Sequence, residues 1–481
     1  MELKTFNEKY ISNYITENEV RMWRNKRAEY VVISSSTGTG KNFFINNVLL
    51  KHIMEYNRSI LILSNRVGLN YQEKLELLYK LIEYTGDEDV IQRFEAYDPT
   101  KTNYFVKLAT NLHCCSYQHL VSSNLLLDNH YDFIILDECQ FFLADSPFNS
   151  RTGQILDHII DNTKLTTKIL LSATIENTFN LMAEVDSEFL SDSNLLYYNK
   201  YVNRNILSVT DVSSITELEQ IISKRDKWVM FISDSSVGKC IRDQLNSKSI
   251  NSVFISRDEI NSDPIIRLKY NTLLYNQNTD NVADVLISTS VLDNGINLYF
   301  NKSVNVFIDS VDKTQFIQML GRIRGNSNIN LFYRNYSEIE AAGEVRRLLH
   351  IIFEVLYRSN LTDIKKEIEF DSRYNYLCKG IVYTNLLIII YCINRINEIN
   401  DFYKIDITKL ICEFRKLNPS IFYKCKHTYT HSYVLTPFTN LIQSFFNREV
   451  YQNYFRTIVL PNYNNVTSSI QYSWIYDMIK Q

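Results

Sequence analysis

Two short stretches of this 481-residue chain carry residues whose types and spacing can do chemistry. The first, SSSTGTGKN at 34–42, follows a short apolar run from Tyr30 to Ile33 and precedes a helix-like run. It is nearly a phosphate-binding loop of the form G-x-x-x-x-G-K-[ST], with Ser35 at the first glycine and Asn42 at the magnesium-binding hydroxyl. Backbone N–H groups from Thr37 to Lys41, with the helix N-terminus behind them, can surround phosphate oxygens, and Lys41 can reach the β and γ phosphates. Ser36, Thr37, Gly38, Thr39, Gly40, Lys41 and Asn42 are therefore the candidate nucleotide-binding residues. The second stretch, YDFIILDECQ at 131–140, is an apolar strand ending in adjacent carboxylates. Asp137 can hold magnesium through water, and Glu138 can polarise the attacking water. The amide oxygen of Asn42 is a second candidate metal donor, directly or through water.

Such groups need rigid elements behind them. From residue 30 to about 200, apolar runs (30–34, 59–64, 112–116, 132–137 and 167–172) alternate with helical patterns, which predicts a parallel sheet covered by helices. A second series, at 227–233, 252–256, 284–289, 303–309 and 329–334, predicts another α/β unit. Residues 1–29 read as helical. The join falls near 200–210, without a Pro- or Gly-rich linker. From about 336 the strand signal gives way to helical periodicity, and 336–481 holds 17 Lys and Arg against 14 Asp and Glu. The expected organisation is 1–204, 205–335 and a mainly helical accessory segment, 336–481.

Composition narrows the function classes. An apolar content of 45% and a charged content of 22% support large cores and argue against global disorder. A net charge of −3 means that a nucleic-acid role depends on local basic surface, not on bulk charge. The eight cysteines include no C-x-x-C pair and the start shows no secretory signal, so they read as reduced thiols of a cytoplasmic protein. The apolar run IVYTNLLIIIYCI at 381–393 is too short to span a bilayer and reads as a core helix.

STGTGK, DECQ, LSAT at 171–174, STSVLDNGIN at 288–297 and QMLGRIRG at 318–325 occur in the order of superfamily 2 helicase motifs. The chain resembles the DExH-type group that includes the helicase subunits of type III restriction enzymes. SNRVGLNYQ at 64–72, CCSYQHL at 114–120 and MFISDSSVGK at 230–239 resemble its motifs Ia, Ib and IV. The resemblance covers 30–335 and implies two tandem RecA-like P-loop domains, with ATP and magnesium between them and a nucleic-acid strand across both. It implies an arginine finger at Arg322, with Gln318 as a polar partner. Arg324 stands in a Q-x-x-G-R-x-R arrangement, because Gly325 occupies the position where DEAD-box proteins carry their second arginine. Ser172, Thr174 and Gln140 would couple nucleotide to strand movement, and Gly295 and Asn297 would face the nucleotide. Arg66, Ser116 and Thr289 would touch the polymer backbone, which gives little sequence specificity.

The implied activity is that of an ATP-dependent helicase or translocase, with DNA favoured over RNA as the polymer. A nucleic-acid-stimulated ATPase clamp, or a binding module in which Asn42 has abolished turnover, is the alternative. The run FYKCKHTYTHSY at 422–433 interleaves aromatic and basic residues as a stacking platform does. Cys425, His427 and His431 lack a fourth ligand at a recognisable spacing for zinc.

Overall fold

Runs such as YVVISS, ILILS and TKILLS place apolar side chains at successive positions, so both faces of each strand must be buried. A parallel sheet flanked by helices meets that demand. The computed structural model describes residues 2–86, 106–359 and 376–410, apart from short stretches that include 36–37, 65–66, 110–111, 123–125, 127–129, 186–188, 190–194, 201–205, 277–278, 293–295 and 325–326. The chain divides into two units. Tyr201–Glu338 forms the second, and the described helices from Ile339 onward return to the first.

The first unit is built on β1 (Glu2–Phe6), β2 (Tyr30–Ser35), β3 (Ile60–Ser64), β4 (Val106–Ala109), β5 (Leu112–Ser116), β6 (Phe133–Asp137), β7 (Thr167–Ser172) and β8 (Leu195–Lys200). Their order is β1-β8-β2-β7-β6-β3-β5-β4. All pairs are parallel except β4 with β5. The strand of the glycine loop, β2, and the strand of the carboxylate pair, β6, are thus separated by β7 alone.

Residues 1–29 are not helical throughout. Glu2–Phe6 is an edge strand whose Glu2 pairs with Leu196, and the helices Ile11–Tyr14 and Glu17–Asn25 follow. Its partner β8, LLYYNK, is rich in tyrosine. There Tyr198 is buried by accepting a hydrogen bond from the Trp23 indole at 2.7 Å.

Side chains alternate across the sheet with the two-residue period of strands. Val31, Ile33, Phe133, Ile135, Ile169 and Leu171 join one core with Trp23, Phe44 and Leu49. Tyr30, Val32, Ile134, Leu136 and Leu170 join the opposite core. The second core is completed from far along the chain. Helix Glu338–Ser359 contributes Ala341, Val345, Leu348, Leu349 and Ile352, and helix Tyr376–Tyr403 contributes Leu387, Ile390, Ile393 and Ile396. Both sets fall at helical spacing on one face. The Thr384 hydroxyl accepts from the Gly153 N–H at 3.0 Å and donates to the Ser150 carbonyl at 3.1 Å. The expected separate accessory segment therefore has a different role in its described part, because those helices close the first unit's own core. The apolar run 381–393 lies within the second of these helices. Residues 411–481, which hold the Cys425–His431 cluster and the aromatic-basic run, lie outside the described residues.

The second unit is a sheet ordered β11 (Ser252–Ile255), β12 (Val285–Ser288), β10 (Lys227–Phe231), β14 (Val304–Ile308), β16 (Ile329–Arg334) and β9 (Ile206–Val212), parallel throughout. A small parallel pair, β13 (Leu298–Tyr299) with β15 (Ile323–Arg324), stands apart. The fold class is α/β with two tandem RecA-like domains. No described helix is long and apolar enough to cross a membrane.

Leu348→Ala should lower the stability of the first unit by about 2–5 kcal/mol, since Leu348 is fully buried in that core. Denaturant melts followed by tryptophan emission from Trp23 check this. An independently folding C-terminal segment would leave the Trp23 transition unmoved.

Candidate functional site

Every strand of a parallel sheet delivers its carboxyl end to the same edge, and the motif residues lie at those ends. After β2 the backbone turns through Gly38 (φ +88°) and Gly40 (φ +80°), a left-handed conformation that side chains rarely adopt. Ser36 and Thr37 lie outside the described residues. Thr39 is buried, and its carbonyl accepts from the Ile11 N–H at 3.0 Å, which ties the N-terminal helix to the loop. The helix then runs from Lys41 through a π-helical turn, Ile45–Leu49, to Glu55. Asn42 is partly buried in its first turn.

The ammonium of Lys41 stands 3.4 Å from the Ser35 carbonyl and 3.7 Å from Glu138 Oε1. Glu138 follows buried Asp137 at the end of β6 and holds a φ of +50°, unusual for a residue with a side chain. Its other carboxylate oxygen accepts from Gln140 Nε2 at 2.7 Å. The Gln140 amide oxygen accepts from the Ser172 hydroxyl at 2.6 Å, and Ser172 Oγ accepts from the Thr174 N–H at 2.9 Å. One polar chain thus joins the glycine loop, the carboxylate pair and the LSAT turn. Between them the Cys139 N–H donates to the Leu171 carbonyl at 3.2 Å. Burial, with Glu138 and Asp137 close by, pushes the Cys139 thiol well above its ordinary range. Cys139 is therefore a neutral packing residue.

In the second unit, Arg324 Nε donates to Asn297 Oδ1 at 2.7 Å, and the Leu298 N–H donates to the Arg322 carbonyl at 2.8 Å. The β13–β15 pair fastens these segments in register, so STSVLDNGIN and QMLGRIRG form one substructure. Gln318 lies on helix Lys313–Leu320, which Asp312 caps through the Gln315 N–H at 2.9 Å, and Arg322 follows it, buried. Thr289 stands just past the end of β12, where its N–H reaches the Ile255 carbonyl at 3.4 Å. Gly295 and Arg66 lie outside the described residues. Ser116 has a local task as well, because its hydroxyl accepts from the His119 N–H at 3.3 Å and caps helix Tyr117–Ser122.

Sequence reasoning missed Asp309. This buried carboxylate at the end of β14 accepts from the Ser233 hydroxyl (2.8 Å), Tyr336 OH (2.5 Å) and Arg334 (3.3 Å). The signal was available in FIDS, a second apolar strand ending in a carboxylate.

Residues 1–177 match the family model for the type III restriction enzyme, res subunit. Among solved structures of similar fold is S. cerevisiae Dbp5, as a variant bound to RNA and ADP BeF3. It is 15% identical over 64% of this chain and 80% of its own, with a TM-score of 0.43. A second, a Dbp5 variant bound to a Gle1 variant and IP6, is 14% identical over 67% of this chain and 82% of its own, with a TM-score of 0.45. No curated protein matches the chain.

Gln140→Leu keeps the side-chain volume but removes both links of the polar chain, to Glu138 and to Ser172. Nucleotide binding should persist while turnover falls about ten- to a hundredfold, the effect of a slightly misplaced catalytic group. Unchanged single-turnover hydrolysis would remove Gln140 from the working site.

Proposed function

We propose that this protein is an ATP-dependent helicase or translocase that hydrolyses ATP with magnesium and moves along or unwinds a nucleic-acid strand. The observation that carries the proposal is the continuous chain from Lys41 through Glu138 and Gln140 to Ser172. It places the phosphate loop, the carboxylate pair and the LSAT turn within hydrogen-bonding or ion-pairing reach of one another.

The residues fit nucleotide and metal. Gly38 and Gly40 hold the left-handed turn of the loop, and among the described residues Lys41 stands 3.4 Å from the Ser35 carbonyl and 3.7 Å from Glu138, contacts that a phosphate can replace. Asp137 and Asn42 are hard oxygen donors suited to magnesium. When bound, ATP and magnesium supply the transferable phosphoryl group and neutralise its charge. The remaining work falls to the chain. Lys41 exchanges its ion pair with Glu138 for phosphate oxygens and so frees that carboxylate. Glu138, oriented by the Gln140 amide, then holds the water and takes its proton. Arg322, by resemblance, would supply a further cation for phosphoryl transfer. Movement of Gln140 with Glu138 pulls on Ser172 and Thr174, the coupling path to the polymer. Ser116, Thr289 and Arg66 are its proposed backbone contacts. Nothing among the described residues favours DNA over RNA, so the polymer is proposed only as nucleic acid.

The deciding experiment measures ATP hydrolysis with no polymer, single-stranded DNA, duplex DNA and RNA, paired with a strand-displacement assay. Glu138→Gln should keep ATP binding and lose at least about a hundredfold in turnover. Normal hydrolysis by that variant would overturn the assignment. A polymer-stimulated ATPase without displacement or translocation would identify a clamp instead.

Asn42 has its own test. With its amide oxygen at the metal, Asn42→Ala should raise the magnesium concentration needed for half-maximal turnover, and Asn42→Thr should retain or improve it. If Asn42 only supports the helix start, the alanine variant should lose about 1 kcal/mol of stability and show the parent's magnesium midpoint.

A further inference from the structure

Tyr117 is fully buried directly behind the carboxylate pair. Its ring stacks on Phe141 with centroids 4.6 Å apart and planes 5° from parallel, and it meets Phe142 edge-on at 5.3 Å. Its hydroxyl donates to the Asp137 carbonyl at 2.9 Å. That oxygen belongs to the peptide joining Asp137 to Glu138, so the hydroxyl restrains the plane whose rotation sets the φ of Glu138. At +50° this φ is costly for a residue with a side chain and persists only where neighbours over-determine it. Tyr117 is also the first residue of the helix capped by Ser116, at the end of β5.

We propose that Tyr117 is a positioning residue that transmits the position of the Ser116 edge to Glu138, so that polymer contact at that edge sets the orientation of the catalytic carboxylate. This inference rests on the polymer-stimulated hydrolysis proposed above. Burial, with Cys139, Asp137 and Glu138 nearby, pushes the phenol well above its usual range, so it stays protonated and remains a donor. A shift of the helix start carries the hydroxyl with it, the peptide rotates, and the Glu138 carboxylate turns relative to Lys41 and Gln140.

Tyr117→Phe removes one oxygen and keeps the ring on Phe141. Phe141→Leu removes the stacking partner and keeps the hydroxyl. ATP hydrolysis is measured for the parent and both variants, without polymer and with saturating oligo(dT) or oligo(U), alongside thermal melts and polymer affinity. In Tyr117→Phe the ratio of stimulated to basal kcat should fall at least about fivefold, with the KM for ATP and the polymer affinity within about twofold of the parent. Phe141→Leu should melt earlier and keep the parent's ratio. A Tyr117→Phe variant stimulated as strongly as the parent overturns the proposal. Equal losses of stimulation in both variants also overturn it, because packing alone would then be responsible. A parent that hydrolyses ATP but ignores polymer overturns the functional reading itself, and the routing through Tyr117 falls with it.

Discussion

A parallel sheet must be covered on both faces, and the rest of this molecule follows from how the first unit meets that requirement. Each of its strands sends alternate residues into opposite cores, so neither face can be left to water. One face is covered by helices that follow the strands directly, including the one that begins at Lys41. The other is covered by the local helices that carry Phe141, Ile155 and Phe179, and its core is completed by helices that begin at Glu338 and Tyr376. A loop that turns through two left-handed glycines needs a rigid strand and helix on either side of it. That rigidity comes from both cores together.

The same geometry concentrates the chemistry. Parallel strands deliver Ser35, Ser116, Asp137 and Ser172 to one edge, and the polar chain there is short because β7 lies between β2 and β6. Lys41, Glu138 and Gln140 form a charge-assisted network in which each group holds the next. The Gln140–Glu138 bond at 2.7 Å is charge-assisted and stronger than a neutral one, whereas Lys41 stands at a looser 3.7 Å. The glycine loop and the LSAT turn are thus joined through side chains as well as through the sheet. In the second unit, the Arg324–Asn297 bond and the Asp309 cluster give a different edge the same kind of order.

Much of this was legible in the residues. The ten strands read from apolar runs are all present, because most of those runs are buried on both faces and carry an unbroken signal, while Ile329–Arg334 alternates buried with partly exposed residues. The misses share a physical cause. The strands β1 and β9 are edge strands, and their mixed polarity lacks that signal. In β8 tyrosines take the place of aliphatic residues, and their hydroxyls are satisfied by partners such as Trp23 and Glu19 that no local window reveals. Helical periodicity correctly marked the helices at 338–359 and 376–403, but periodicity shows only that a face is apolar. It does not say which sheet that face will cover. The bridging role of Gln140 was implied by resemblance alone, since its bonds to Glu138 and Ser172 depend on a turn whose left-handed glutamate no spacing rule anticipates.

Because the second unit is inserted between the two parts of the first, the order of synthesis and the order of completion differ. The glycine loop is made well before the helices beyond Ile339, and the core that those helices share with the local helices around Phe141, Ile155 and Phe179 stays incomplete until they have been made. Gly153 finds its partner, Thr384, 231 residues later. The second unit has all its strands by Arg334 and can close before the first. Domains usually fold from the N-terminus as they are made. In this chain the unit that begins first finishes last, so during translation the apolar outer side of the helices that cover its sheet is the surface that a chaperone would meet.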